Sequence, residues 1–328
     1  MLDFAGRRAR RWRIPFAAAA MMMTVATAPA AQTLDRLELI APASPGGGWD
    51  QTARSMQEAM QSEGIIGRVE VENIPGAGGT IGLAQFVDSR AGQGDAMMIS
   101  GLVMVGAILT NQAPVTLEQV TPIARLTGEY EVIVVPADSP HQSLQDLIDA
   151  FREDPGSVSW GGGSAGGTDH ILVGLIAQEV GADPSKINYI PFSGGGEALA
   201  AILGGHVTAG VSGLGEWVGQ IQAGELRALA ISSPERLPGV DIPTLMEGGV
   251  DLDLVNWRGV VAPPELDEAE REALLGAADT MAKSETWQGI LENRNWMDAY
   301  LPGDEFAAFL EEERQRVEGV LRDIGLVQ

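Results

Sequence analysis

Glycine-rich loops are the segments of this 328-residue chain whose composition and spacing could do chemistry. Glycine lets a ligand approach the backbone closely, and the first turn of a helix presents unpaired N–H groups with about half a positive charge. One glycine cluster alone is typical of a tight turn, but four clusters between apolar runs and amphipathic stretches predict an anion-binding site. These clusters are Pro45–Asp50, Pro75–Gly79, Gly161–Thr168 and Ser193–Gly196.

The third cluster also matches a dinucleotide-binding motif. Gly161, Gly163 and Gly166 have the required spacing, and Asp183 lies about twenty residues further on, where an acidic residue is expected. However, five of the seven residues in this loop are glycine, so composition alone produces the match. Asp183 also precedes Pro184 in a predicted turn. The sequence therefore disfavours a nucleotide site.

A second enzyme motif places Ser164 in the Gly-x-Ser-x-Gly spacing of a hydrolase nucleophile. Such a hydrolase needs a histidine late in the chain. His141 precedes the serine, His170 follows it too soon, and His206 lies in a predicted turn. No histidine or carboxylate cluster has the spacing of metal ligands. We therefore predict a protein without catalysis, cofactor or metal, and keep an exported serine hydrolase using Ser164 as the alternative.

Composition and charge exclude several other functions. Asp and Glu number 45 against 21 Lys and Arg, and the formal net charge of −24 would repel nucleic acid and anionic membranes. A carboxylate ligand is still compatible with this total, because charges beyond a Debye length of about 8 Å are screened. Cysteine is absent, which excludes disulfides and thiol chemistry. The only lysines, Lys186 and Lys283, follow no glycine cluster, so a Walker A site is also excluded.

The first 31 residues predict an export signal. Five arginines between Arg7 and Arg13 precede the apolar run Ile14–Val25 and a small-residue cleavage site at Ala30 or Ala31. The run is shorter than the roughly 18 to 20 residues that span a bilayer, so we expect cleavage rather than anchoring. Removing this leader takes away five arginines and one aspartate, which leaves a periplasmic protein with a net charge of −28.

Short apolar runs alternate with amphipathic stretches along the rest of the chain. This alternation predicts an α/β fold with parallel sheets covered by helices on both faces. The segment Leu266–Ile324 is rich in Glu and Arg and is expected to be almost continuously helical. The predicted strands are Leu37–Ala41, Arg68–Asn73, Ala96–Ile99, Glu131–Val135, Val158–Trp160, Ile187–Pro191, Val207–Val211, Leu226–Ile231 and Gly259–Ala262.

Two breaks in the pattern predict two lobes. One lies at Val135–Pro140, where two prolines follow a strand, and the other at Val255–Gly259. A chain that crosses the same boundary twice has a discontinuous first lobe and an inserted second lobe. We expect lobe 1 to comprise residues 32–136 and 256–328, and lobe 2 residues 137–255, with a hinged cleft between them.

Several longer motifs, in one order along the chain, resemble the periplasmic receptors of tripartite tricarboxylate transporters, also called Bug receptors. The resemblance implies a two-lobed type II periplasmic-binding-protein fold that closes on a small di- or tricarboxylate and delivers it to membrane permease subunits. The motifs are Pro45-Gly-Gly-Gly-Trp-Asp50, Val71-Glu-Asn-Ile-Pro-Gly-Ala-Gly-Gly79, Gly224-Glu-Leu-Arg-Ala-Leu-Ala230, Pro243-Thr-Leu-Met-Glu-Gly-Gly249 and Trp257-Arg-Gly-Val-Val-Ala-Pro263.

The resemblance also implies which loops bind the ligand. In such receptors two loops of the first lobe hold one carboxylate, largely through backbone N–H groups and bridging water, and they map to Pro45–Gly48 and Gly76–Gly79. Ser164–Thr168 and Phe192–Gly195 correspond to the loops of the second lobe. Relatives often carry Tyr-Lys-Gly where this chain has Phe-Ser-Gly, so a cationic donor is missing here. Gly161–Thr168 looks closest to the branch that takes up citrate-like tricarboxylates.

The hydroxyl groups beside these loops complete the predicted site. Ser164, Thr168 and Ser193 are expected to bind the ligand rather than cap helices, since a hydroxyl at such a junction can do either. Ser100 and Ser212 end apolar runs at corresponding places, and pocket lining and a structural role are equally compatible with them. The predicted ligand-binding residues are Pro45, Gly46, Gly47, Gly48, Gly78, Gly79, Ser100, Ser164, Thr168, Ser193, Gly194, Gly195 and Ser212.

Four neighbouring side chains have competing roles. Asp50 is expected to cap its own helix, because a bare carboxylate facing an anionic ligand would repel it. Trp49 and Trp257 are expected in the core. Arg258 could bind a carboxylate or serve a structural role, and both possibilities stay open. The sequence thus predicts a monomeric solute receptor that captures a citrate-like carboxylate by cleft closure, with a receptor that signals to a sensor as a further alternative.

Overall fold

A computed structural model of the protein describes Met1, residues 34–192 and residues 195–328. Apart from Met1, the predicted export signal lies outside the described residues, as do Ser193 and Gly194 of the fourth glycine cluster. Strands and helices alternate through most of the described chain, as the sequence predicts.

Ten strands and ten helices are described. The strands are β1 (Arg36–Ala41), β2 (Arg68–Asn73), β3 (Ala96–Gly101), β4 (Thr121–Pro136), β5 (Ser159–Gly162), β6 (Asn188–Pro191), β7 (Ala209–Gly213), β8 (Leu226–Ile231), β9 (Val255–Ala262) and β10 (Met297–Pro302). The helices are α1 (Gly48–Ser62), α2 (Thr80–Arg90), α3 (Leu102–Thr110), α4 (Leu144–Glu153), α5 (Thr168–Val180), α6 (Gly195–Leu203), α7 (Leu214–Gln222), α8 (Glu268–Ala282), α9 (Glu285–Arg294) and α10 (Gly303–Asp323).

The strands form one mixed sheet in the order β2-β1-β3-β9-β4-β7-β5-β6, and β8 and β10 also pair with β4. At one end β1 is parallel to β2 and β3, and at the other end β5 is parallel to β6 and β7. In the middle, β4 runs antiparallel to β7, β8, β9 and β10. The prediction of parallel sheets is therefore right for the two ends of the sheet and wrong for its centre.

Strand β4 is the longest strand, and the sequence predicts only its second half. The first half contains Pro122, Arg125 and Gly128, which interrupt any apolar run. It is nevertheless a strand because it bonds to both β9 and β10, and shifts of register beside Pro122 and Arg125 absorb the irregularity. The second half is covered on both faces: Ile133 and Val135 belong to one apolar cluster, and Val132 and Val134, which alternate with them, belong to another.

The C-terminal segment differs from its prediction in the same way. It was expected to be almost continuously helical, but β10 separates α9 from α10 and extends the sheet by pairing with β4. Asn295 adopts a left-handed conformation with φ 53° and ends α9, as residues at this position often do. The strand that follows is half-buried and has no strong alternation, so only its pairing with β4 defines it.

Two further expectations concern packing and the membrane. Trp49 and Trp257 lie in the core, with 9% and 1% of their surface exposed, which confirms their predicted role. Within the described residues, none of the helices combines the length and the apolar character that crossing a bilayer requires. The proposed lobe boundaries stay a prediction.

Candidate functional site

The predicted glycine loops lie where parallel strands end. The first two clusters follow β1 and β2, and the third and fourth follow β5 and β6. Ser100 lies near the end of β3 and Ser212 near the end of β7, the remaining parallel strands. Because parallel strands present their carboxyl ends at one edge of a sheet, each half of the sheet gathers three strand ends and their loops at a single edge.

The helices that leave these strand ends begin without a capping side chain. Glycine occupies the N-cap of α1, α2, α3, α5 and α7, so within the described residues no N-cap side chain bonds to their first-turn N–H groups. Elsewhere α4, α8 and α9 begin with Ser or Asp caps, while α10 follows Pro302. The five N-cap glycines are Gly47, Gly79, Gly101, Gly167 and Gly213. Their first-turn N–H groups and partial positive charges are therefore available to an anion.

Glycine allows close packing at the second loop and at the contact between the third loop and α3. Gly79 has a φ of 90°, and a Cβ atom there would lie 2.7 Å from the ring of Trp49. The third loop packs directly on α3, since a Cβ atom at Gly106 would overlap the carbonyl oxygen of Gly166. Loops from both ends of the sheet therefore meet at α3.

Asp50 has a different role from the predicted one. Its carboxylate accepts hydrogen bonds from the Gly46 N–H at 2.8 Å, from Arg54 at 3.0 Å and from Asn73 at 2.9 Å. Burial alone would raise the pKa of Asp50, but these hydrogen bonds outweigh it and lower that pKa. The prediction that Asp50 caps its own helix is wrong: it holds the preceding loop in place and occupies the N–H of Gly46.

A cavity of about 260 Å³ opens beside the start of α1. Gly48 begins α1 at one end of the sheet, Glu216 comes from α7 at the other end, and Arg258 and Glu129 come from the adjacent central strands β9 and β4. The segment Asn293–Trp296 completes the lining. This volume is below the roughly 300 to 1,000 Å³ of sites for drug-sized ligands, so the cavity suits a small polar molecule.

Arg258 is the buried cation of this cavity, with 4% of its surface exposed. Its Nη2 forms an ion pair with Glu129, and its guanidinium lies against Gly48, where a Cβ atom would be 2.8 Å from Cζ. The same guanidinium lies 5.5 Å from the ring centre of Trp296. Its Nη1 has no hydrogen-bond partner among the described residues.

Two buried polar atoms without partners lie on neighbouring strands here, the Ser100 hydroxyl on β3 and Arg258 Nη1 on β9. On the next strand, β4, the buried carboxyl group of Glu131 interacts with Asn256 and Asp169. Pairing between β3 and β9 places Gly101 opposite Arg258, and pairing between β9 and β4 places Asn256 opposite Glu129. Buried polar groups in native proteins are nearly always bonded, so this concentration indicates a place for a ligand or water.

Carboxylates also gather here, which the sequence analysis missed. Burial, followed by the charges of Asp169 and Glu129, raises the pKa of Glu131 well above its ordinary range. Burial raises the pKa of Asp169 to about 6, although the Gly163 N–H bonds to it. Glu216 is open to water on one side, yet desolvation by the surrounding walls, with the charge of Glu129, raises its pKa to about 7. No spacing rule joins these residues, because they come from β4, α5 and α7.

The raised pKa values couple stability to pH. Above about pH 6 the unfolded chain has lost the protons of its carboxyl groups, whose ordinary pKa is about 4.3, while folded Glu131 and Glu216 still hold them. The stabilisation is therefore present at low pH and is lost as pH rises through the folded pKa values. Within residues 34–192 and 195–328, no three carboxylate or histidine side chains are placed to hold a metal ion.

The remaining predicted hydroxyls have distinct surroundings. Thr168 is buried and donates to the Asn256 side chain at 3.3 Å, which joins the start of α5 to β9. Ser212 lies beside Glu216, to which it hydrogen-bonds, and near Gly195 at the start of α6. Ser164 is half-buried, and its carbonyl oxygen accepts from the Gly167 N–H at 2.9 Å.

The histidine nearest in sequence to Ser164 is engaged elsewhere. His170 Nδ1 accepts a hydrogen bond from the Gly166 N–H at 3.3 Å, and its ring stacks on Tyr189 with centres 4.0 Å apart. Burial lowers the pKa of His170 to about 4, so the ring is neutral. These contacts hold the loop and the helix together and give no support to a serine–histidine pair.

Comparison with known proteins identifies the family. A family model described as the tripartite tricarboxylate transporter family receptor matches residues 52–326. The chain belongs to this receptor family. Protein BugT of Bordetella pertussis is 30% identical to it over 298 residues, which cover 88% of this chain and 89% of BugT.

Solved structures of solute-binding and related proteins share the fold. A TctC solute-binding protein from Polaromonas is 27% identical, with a TM-score of 0.68 over 88% of this chain and 98% of that one. MatC from Rhodopseudomonas palustris, solved with bound malate, is 23% identical, with a TM-score of 0.74 over 87% and 99% of the two chains. The predicted fold class is confirmed, and the family is one of solute-binding receptors rather than of enzymes.

Proposed function

We propose that this receptor captures a small di- or tricarboxylate, citrate-like in size and charge, in the periplasm and delivers it to the permease subunits of a tripartite tricarboxylate transporter. The observation that carries the proposal is the set of five uncapped, glycine-initiated helices at the ends of the parallel strands. The bound malate of MatC, whose fold this chain shares, agrees with a ligand of this class.

The energetics of the loops suit carboxylates. A negative group near a helix N-terminus gains about 0.3 to 1 kcal/mol, and up to about 2 kcal/mol when partly buried. Hydrogen bonds to a charged group add about 1.5 to 3 kcal/mol each. Two carboxylates, each bound by the starts of two helices, would therefore bind strongly without a lysine. This agrees with the scarcity of lysine in the chain, which has only two.

Capture proceeds by closure of the two predicted lobes, residues 32–136 with 256–328 and residues 137–255. In the proposed closed state the third glycine loop packs against α3, and Thr168 bonds across to Asn256 on β9. A ligand that contacts both lobes favours this state because only closure completes its contacts. The closed receptor, a monomer without nucleic-acid partners, then docks on the permease.

Calorimetric titration of the mature chain tests this function. Citrate, tricarballylate, malate and succinate are compared with their amides and with neutral polyols at equal concentration. We expect measurable heats and a raised melting temperature for at least one carboxylate and none for the neutral analogues; at 100 times its dissociation constant a ligand stabilises by about 2.7 kcal/mol. Stabilisation by sugars or nucleotides alone would overturn the proposal.

A further inference from the structure

The cavity beside α1 contains charged side chains of both signs. Binding of a carboxylate by the backbone N–H groups of the loops would not need them. Arg258 provides a buried donor, Nη1, that no described residue uses. Across the cavity Glu216 provides a carboxylate, and the two are close enough for the charge of Arg258 to act on Glu216. Glu129 is already occupied by its ion pair with Arg258. The cavity therefore offers a ligand the unused cationic donor of Arg258 and the carboxyl group of Glu216, while Arg294, which also lines it, bonds to Gln51.

We propose that this cavity is a subsite for an α-hydroxycarboxylate group, in which Arg258 Nη1 binds the carboxylate of the ligand and Glu216 accepts a hydrogen bond from its hydroxyl. This assignment rests on the proposed function and specifies its ligand class. A guanidinium matches the geometry of a carboxylate and stays charged when buried. A hydroxyl can donate to Glu216 in either protonation state, whereas a second carboxylate at the same place would repel the ionised form.

Arg258 is positioned for this contact from three sides. Glu129 holds Nη2, Trp296 faces the guanidinium, and Gly48 leaves it the space that any side chain would fill. A group held in this way loses little freedom when the ligand binds. The backbone loops bind carboxylates in general, while the pair of Arg258 and Glu216 selects among them.

Matched ligands and variants test the subsite. Citrate and tricarballylate differ by one hydroxyl, as malate and succinate do. In calorimetry of the wild-type receptor at about pH 8, where Glu216 with its pKa of about 7 is ionised, we expect the hydroxylated member of at least one pair to bind ten times more tightly or better. Glu216→Gln should reduce that preference to less than threefold, because an amide also offers a donor to an unhydroxylated ligand. An unchanged preference in Glu216→Gln would remove Glu216 from the subsite.

Arg258→Lys keeps the positive charge beside Glu129 but removes the free Nη1. We expect it to weaken binding of the hydroxycarboxylate at least tenfold, while Arg125→Lys, a half-buried arginine of β4 outside the cavity, changes affinity less than twofold. If Arg258→Lys does not fold, Gly48→Ala displaces the guanidinium instead and should also weaken binding tenfold. Equal affinity in the folded Arg258 or Gly48 variant would overturn the subsite and leave the receptor function intact. A wild-type receptor that binds no carboxylate at all would overturn both.

Discussion

Replacing Gly47 by aspartate separates what stabilises the protein from what binds the ligand. Gly47 is the N-cap of α1, with φ −74° and ψ 169°, which is the conformation that an aspartate cap adopts. A Cβ atom there would have its nearest neighbour, the Ser44 carbonyl oxygen, at 3.6 Å, so the side chain fits. The new carboxylate would bond to the first-turn N–H groups that we assign to the ligand.

The two effects have opposite signs. Aspartate at an N-cap is better than glycine by only a few tenths of a kcal/mol, so the unliganded protein should be as stable as wild type or slightly more stable. The ligand would lose at least one hydrogen bond to a charged group, about 1.5 to 3 kcal/mol, and meet a like charge. A total loss of about 2 to 4 kcal/mol corresponds to about 30- to 1,000-fold weaker binding.

Urea unfolding without ligand and calorimetric titration with the best carboxylate measure the two effects. Gly47→Ala is the matched control, because it places a Cβ atom at the same position without a competing acceptor. The affinity of Gly47→Ala for the carboxylate should lie within threefold of that of the wild-type receptor. If Gly47→Asp bound as tightly as Gly47→Ala, the start of α1 would not be part of the binding site and the reasoning from uncapped helices would fail there.

Two further predictions concern pH and packing. Above about pH 6.5 the unliganded protein should lose stability in urea unfolding, because folded Glu131, and folded Glu216 up to its pKa of about 7, retain protons that the unfolded chain has already released. His170, with its lowered pKa, opposes this trend only below about pH 6.5. Glu131→Gln should make the free energy of unfolding depend less on pH. A stability that rises with pH over this range would contradict the raised pKa values of Glu131 and Glu216. Gly106→Val should weaken ligand binding at least tenfold and abolish ligand-induced compaction in small-angle scattering, because its side chain would separate α3 from the third glycine loop. Gly219→Ala on α7, which meets open space, is its control and should leave both unchanged.

The local patterns of the sequence were sufficient for much of the fold. Apolar runs bounded by glycine located β1, β2, β8 and the ends of the parallel strands to within a few residues. They were sufficient because buried parallel strands need continuous apolar side chains, and because a loop that turns into a helix without a cap needs glycine. The same glycine loops predicted a site for anions and led to the receptor family.

Tertiary structure decided which weakly patterned segments become strands, because pairing with distant strands outweighs their local sequence preference. The first half of β4 and all of β10 have weak strand patterns, and each is a strand because its neighbours supply hydrogen bonds. The role of Asp50 was likewise not predictable from local sequence. Its position suits a helix cap, but its carboxylate hydrogen-bonds to Arg54 and Asn73 and to the loop before the helix.

The charged part of the candidate site was also decided by tertiary structure alone. Glu129, Glu216 and Arg258 are far apart in sequence, and only Arg258 belongs to a motif that the sequence analysis identified. They meet because β4 pairs with β9 and the start of α7 lies beside both strands. A glycine loop can be predicted locally, since its function depends on backbone conformation. A buried ion pair cannot, because its existence depends on which distant strand lies next to it.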